Sequence, residues 1–175
     1  MKKIIYCICF SLCFSSYVYA GNRHTRKHKT VHISHISPST QIPSHPNILH
    51  QPNIEQEVYR NINDYRISHG LSKLMLNEHL SNIARQHSQN MALDLIPMGH
   101  VGFEHRVEQI SKNIPIGENV AWNRGSYNPT QSAITGWLNS SHHHENIVGQ
   151  YNLTGIGVVL DNQNRYVFTQ IFAQK

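Results

Sequence analysis

The run Ser140-Ser141-His142-His143-His144-Glu145-Asn146 sets three imidazoles beside two hydroxyls and a carboxylate. It can be a metal site, a catalytic base with its neighbours, or a product of composition, since the chain has 14 His in 175 residues. Geometry narrows the choice. Adjacent residues point about 100° apart on a helix and to opposite sides on a strand. Three consecutive histidines therefore cannot all ligate one ion from regular structure. A site needs one of them together with distant partners. His100, after Gly99, and Glu118, between Gly117 and Asn119, have suitable types. Two imidazoles and a carboxylate can hold Zn and leave positions for water or substrate. The plainer alternative is that each of these histidines is a surface or internally satisfied residue.

Other chemistry finds little support. There is no H-E-x-x-H, because His144-Glu145 is followed by Asn-Ile-Val. There is no G-x-S-x-G, P-loop or G-x-G-x-x-G either. Ser140 and Ser141 lie beside His143, but sequence neighbours rarely have nucleophile–base geometry. Serines capping a helix end explain them better.

The elements that must position these residues can be read from periodicity and end signals. Asn53 with Gln56 resembles a capping box, and Ile54, Val58, Ile62 and Tyr65 follow at helical spacing up to a stop at Gly70. A second helix is predicted after Asn77, with Leu80, Ile83, Ala84, His87 and Met91 on one face, ending before Pro97 and Gly99. Asn128-Pro129-Thr130-Gln131 signals a third, burying Ile134, Trp137 and Leu138. The three candidate segments are expected at the ends of elements, where functional residues tend to lie. TGIGVVL and RYVFTQIF then read as strands joined by a turn at Asp161-Asn162-Gln163-Asn164. The second strand is apolar on both sides, with Tyr166, Phe168 and Phe172 on one and Val167 and Ile171 on the other. Such a strand belongs to a sheet covered on both faces. The predicted fold is a three-layer α-β-α sandwich with a C-terminal β-hairpin.

Residues 1–20 read as a secretory signal peptide: Lys2 and Lys3, a short apolar run, and Ala20 at a cleavage point. An uncleaved membrane anchor is the alternative. Cys7, Cys9 and Cys13 all lie in this segment, so a mature chain has no disulfide, thiolate site or cysteine nucleophile. Residues 21–52 hold four prolines, six histidines and four Lys or Arg but no acid, and read as a disordered basic His/Pro-rich linker. Its histidines gain charge below about pH 6.5, which allows transient contact with anionic surfaces. Residues 53–175 form the domain. They carry 9 Lys and Arg against 10 Asp and Glu, so the basic pI comes from the leading segments and no nucleic-acid partner is expected.

The order of the pieces resembles the CAP superfamily, or SCP domain, of cysteine-rich secretory, antigen 5 and pathogenesis-related proteins. The matching pieces are YRNINDYRISHGLSKLMLNEHLSNIARQHSQNMA, GHVGFEHRV, GENVAW, TQSAITGWLNSSHHHENI, YNLTGIGVV and YVFTQIF. The disulfide-free bacterial branch is the most similar. The resemblance implies an α-β-α sandwich with a central cleft lined by two His and, in many animal members, two Glu. The first His falls on His100 and the first Glu on Glu118. A W-x-x-S-x-G-H-R-x-N-I pattern, aligned on Trp137, Ser140, Asn146 and Ile147, puts the second His on His143. His142 then stands in place of Gly, which is expected to strain or reshape the loop, and His144 in place of Arg. Ser140 stands where the second Glu belongs, so one carboxylate is missing.

The resemblance implies a secreted module, extracellular or periplasmic, rather than a defined reaction. The first expectation is a binding or interaction domain whose His100 and His143 take a divalent metal such as Zn, with Asn119 and Ser140 supporting the cleft. The second is a metal-assisted hydrolase of peptide or cell-wall material, with Glu118 taking a proton from bound water. The third is a lipid or sterol carrier.

Overall fold

The structure is a computed structural model that describes residues 48–175. The signal peptide at 1–20 and the linker over 21–47 lie outside the described residues. The last five residues read as linker are part of the domain. Leu49–His50 form a short strand, β1, and Pro52 opens the first helix.

Next in order come α1 (Pro52–Ser68), β2 (Met75–Leu76), α2 (Glu78–Ala92) and α3 (Phe103–Ile110). Then follow β3 (Ile116–Arg124), α4 (Pro129–Leu138), α5 (Ser141–Val148), β4 (Leu153–Leu160) and β5 (Arg165–Ala173). The predicted end signals hold for α2 and α4. The Asn77 side chain accepts from Leu80 N–H, and the Asn128 side chain accepts from Gln131 N–H. The capping box does not hold. Gln51 is the cap, and Pro52 takes the first helical position, where its missing N–H and fixed φ cost nothing. Helices α3 and α5 and strand β3 were not among the predicted elements.

The sheet runs β1-β4-β5-β3, with β2 added in parallel to β4. β4 and β5 form the predicted hairpin, and all nine residues of β3 pair antiparallel with β5. One face of the sheet presents Ile156, Val158, Phe168 and Phe172 to Val58 and Ile62 of α1, Ile134 and Trp137 of α4, and Ile147 of α5. The other face presents Val159, Val167 and Ile171 to Leu80, Ala84 and Met91 of α2. Each fully buried Leu or Met on α2 contributes about 1.5–3 kcal/mol. These are the three layers that the doubly apolar strand requires.

Glycine brings α2 close to the sheet. A Cβ at Gly155 would lie 2.2 Å from the Leu80 carbonyl carbon, and one at Gly157 would lie 2.2 Å from Arg85 N. The TGIGVVL spacing thus alternates bare backbone against α2 with Ile156 and Val158 in the opposite layer.

Candidate functional site

Among the described residues β3 pairs with β5 alone, and its other edge is covered by side chains. Trp137 Nε1 donates to Val120 O at 3.1 Å, and Asn146 Nδ2 donates to Glu118 O at 3.2 Å. These bonds fasten α4 and α5 to the strand that carries Glu118 and Asn119. Asn146 Nδ2 also donates to Asn119 Oδ1 at 2.9 Å, and Asn119 Nδ2 donates to His143 O at 3.0 Å. The chain of amides fixes α5 relative to β3. It requires Gly117, where a Cβ would come within 2.6 Å of Asn146 Oδ1. At its far end α5 is held by buried Arg66, whose Nη1 donates to Ile147 O and Gly149 O.

The three histidines separate as helical geometry demands. On α5, His142 is exposed, His143 is buried, and His144 is half-buried with Nε2 2.8 Å from Tyr65 Oη. His142 occupies ordinary helical backbone with no positive φ, so the strain expected at this position does not occur. Ser140 caps α5 with its backbone only. Its carbonyl accepts from His144 N–H, and its hydroxyl makes no capping bond.

The structure brings His100, Glu118 and His143 together. The His100 and His143 ring centroids are 6.4 Å apart. His100 Nδ1 lies 2.9 Å from Glu118 Oε1. A carboxylate only accepts, so Nδ1 carries the proton and Nε2 is left for a ligand. His143 is pushed down to about 4 by burial, with smaller contributions from His100 and His142, and is neutral at pH 7.

Two residues of this site escaped the sequence reading. Arg106 on α3 donates Nε to Glu118 Oε2 and Nη2 to Glu118 Oε1, each at 2.6 Å. His87, a face residue of α2, is buried with Nε2 2.8 Å from Gly99 O and 3.9 Å from Glu118 Oε1. Burial holds its imidazole below the usual range, against the pull of the Glu118 charge. Burial alone would raise the Glu118 carboxyl. The hydrogen bonds from His100 and Arg106, with the Arg106 charge, outweigh it and hold it below the usual carboxylate range. Nor does Glu118 sit at an element end. It lies inside β3, opposite Ile171.

The imidazoles of His100 and His143 are the candidate donors for a cation here. With a Zn–N bond of about 2.0–2.1 Å, a tetrahedral ion shared by two rings places their centroids roughly 5 Å apart. The observed 6.4 Å is wider, so the rings would have to close by about 1 Å to share such an ion. Glu118 does not fit as a ligand, because both of its oxygens accept from other groups. Among the described residues no group of three or more His, Cys, Asp or Glu is placed to hold a metal ion.

The sequence model of the CAP family, the cysteine-rich secretory protein family, matches residues 59–172. The chain belongs to this family. It is similar to YlbC of Bacillus subtilis strain 168, described as an uncharacterized membrane protein, at 28% identity over 141 residues. That match covers 71% of this chain and 36% of YlbC, so the chain spans about a third of the relative's length. Among solved structures, an outer surface protein of Borrelia burgdorferi matches with a TM-score of 0.64 at 16% identity, covering 74% of this chain and 98% of that one. An extracellular SCP-domain protein of Bacillus anthracis str. Ames matches with a TM-score of 0.57 at 23% identity, covering 71% and 41%. A cysteine-rich secretory protein of Staphylococcus aureus subsp. aureus Mu50 gives 0.57 at 21%, covering 79% and 40%. These likenesses establish the fold. No helix of the described residues is long and apolar enough to cross a membrane.

Proposed function

We propose that this is a secreted binding module whose His100 and His143 side chains take a divalent cation, Zn being one of the ions that imidazole donors suit. One observation carries the reading. Two imidazoles lie 6.4 Å apart, centroid to centroid, beside a carboxylate that is already committed to Arg106. The bound ion would keep open positions, which a protein or cell-wall partner can fill with its own donors. Asn119 contributes by holding the His143 backbone. The hydrolase reading needs Glu118 to accept a proton from water. A carboxylate that is buried, held below its usual range and bonded through both oxygens is poorly placed for that. For the lipid reading no specific contact speaks.

Calorimetric titration of the full chain with Zn tests this, compared with His100→Ala/His143→Ala. The histidines before residue 48 are common to both proteins, so the difference isolates the pair. We expect one binding event to vanish in the double variant. Identical titrations would remove the site. Export is supported by the leading Lys-apolar-Ala20 pattern and by the secretory and extracellular descriptions of the structural neighbours. It predicts a mature protein that begins at Gly21, which mass spectrometry of the exported chain checks. An intact Met1 in that material would favour an anchor instead.

A further inference from the structure

Glu118 is held by a residue to which neither the sequence motifs nor the family resemblance gives a role. We propose that Arg106 is the positioning residue of this site: through Glu118 it fixes the tautomer in which His100 keeps its proton on Nδ1 and offers Nε2 to a ligand.

The guanidinium is planar and only donates, and it matches a carboxylate by two parallel bonds. Arg106 makes both, to Oε2 through Nε and to Oε1 through Nη2. Its remaining nitrogen, Nη1, donates to Val101 O at 2.9 Å. Arg106 therefore grips the carboxylate on one side and the backbone next to His100 on the other. Both ends of the His100–Glu118 bond are fixed by one buried side chain. His87 does not compete, because its Nε2 proton is committed to Gly99 O. Without the guanidinium the carboxylate loses the two bonds that fix its plane, and its hold on the Nδ1 proton weakens. Carboxylates that orient a ligating imidazole from behind typically matter about 10- to 100-fold in metal affinity. Here the orienting group is itself oriented. The simpler alternative is a buried ion pair that serves stability alone. Only the consequence for the cation rests on the proposed function; the tautomer does not.

Long-range proton–nitrogen NMR of the uniformly labelled full chain, without metal, tests the proposal. The His100 signals are assigned by their loss in His100→Asn. In the wild type we expect a single tautomer, with the proton on Nδ1. In Arg106→Gln we expect that pattern to be replaced by a mixture of the Nδ1-protonated and Nε2-protonated tautomers. Should this variant fail to fold, Arg106→Lys, which keeps the charge and loses the fork, is read in the same way. A wild-type His100 protonated at Nε2 overturns the proposal without any variant. So does an unchanged His100 pattern in either folded variant. A negative Zn titration would remove the proposed function and leave this result standing.

Discussion

Gly117 lies so close to Asn146 that a single methyl group at its α-carbon would sit 2.6 Å from the Asn146 side-chain oxygen. The contact joins β3 to α5, and therefore the Glu118 strand to the His143 helix. Gly117→Ala must push Asn146 away from Glu118 O and Asn119 Oδ1 or bend the strand. We expect a loss of about 1–3 kcal/mol in denaturant unfolding, as for other overpacked interiors. Asn146→Ala should cost a similar amount, about 1–3 kcal/mol, by leaving the Asn119 amide oxygen and the Glu118 carbonyl without their donor. If Gly117→Ala unfolds like the wild type, this close approach does not hold the site together.

The three adjacent histidines should respond differently to substitution. His142→Ala removes an exposed side chain and should change stability by less than about 0.5 kcal/mol. His144→Phe loses the hydrogen bond to Tyr65 and should cost about 1 kcal/mol. If the proposed pair binds Zn, His143→Ala should abolish that binding while the Asn119 bond, which goes to the backbone, persists. Unfolding curves and Zn titrations of the three single variants check this. Equal loss of Zn binding in all three would argue for a shared cluster instead.

Acid should weaken the turn of the β4–β5 hairpin. Burial alone would raise the Asp161 carboxyl, but it accepts from the Arg165 and Gln163 backbone N–H groups and from the Arg165 side chain. These bonds outweigh burial and hold it below its usual value. A carboxyl lowered in the folded state stabilises fully above its unfolded value of about 3.9, and loses that contribution as the pH falls toward the folded value. The stability gap between wild type and Asp161→Asn should therefore be widest at pH 7 and shrink below about pH 3.9. Thermal melts of both proteins from pH 7 to pH 2.5 measure it. A gap that does not change with pH would mean that the charge contributes nothing.

The approach of α2 to the sheet gives a fourth test. Gly157→Ala places a Cβ 2.2 Å from the Arg85 backbone and should destabilise by about 1–3 kcal/mol or more. Gly136, on α4, has open space at its Cβ position, and Gly136→Ala should stabilise by about 0.4–1 kcal/mol. Chemical denaturation of the pair separates crowding from backbone entropy. The prediction fails if both substitutions move stability in the same direction.

Much of the sandwich was legible because its signals are local. Asn77 and Asn128 cap their own helices, and Pro129 suits the first turn of α4. Val167 against Phe168 shows that β5 is covered on both sides. β3 was not legible. IGENVAWNR has neither clean alternation nor a long apolar run, and it is a strand because β5 offers nine partners. The short α5 has the same origin. SHHHENIV has no strong helical stripe, and Asn146 and Ile147 become its inner face only once β3 and the core are present.

By itself the sequence carried the α2, α4 and hairpin signals and the order of segments that matches the family, and that resemblance singled out His100, Glu118 and His143. The helix and hairpin signals are properties of residue type and of neighbours a few positions apart. Only the tertiary structure decided what the three residues can do. It turned His143 inward and His142 outward, set the imidazoles 6.4 Å apart, and spent Glu118 on Arg106. Arg106 lies twelve positions from its carboxylate and His143 lies 24 from Asn119. The role of a charge or a ring nitrogen depends on which donor meets it at about 3 Å, and that is settled by the packing of α3 and α5 against the edge of β3 rather than by spacing along the chain.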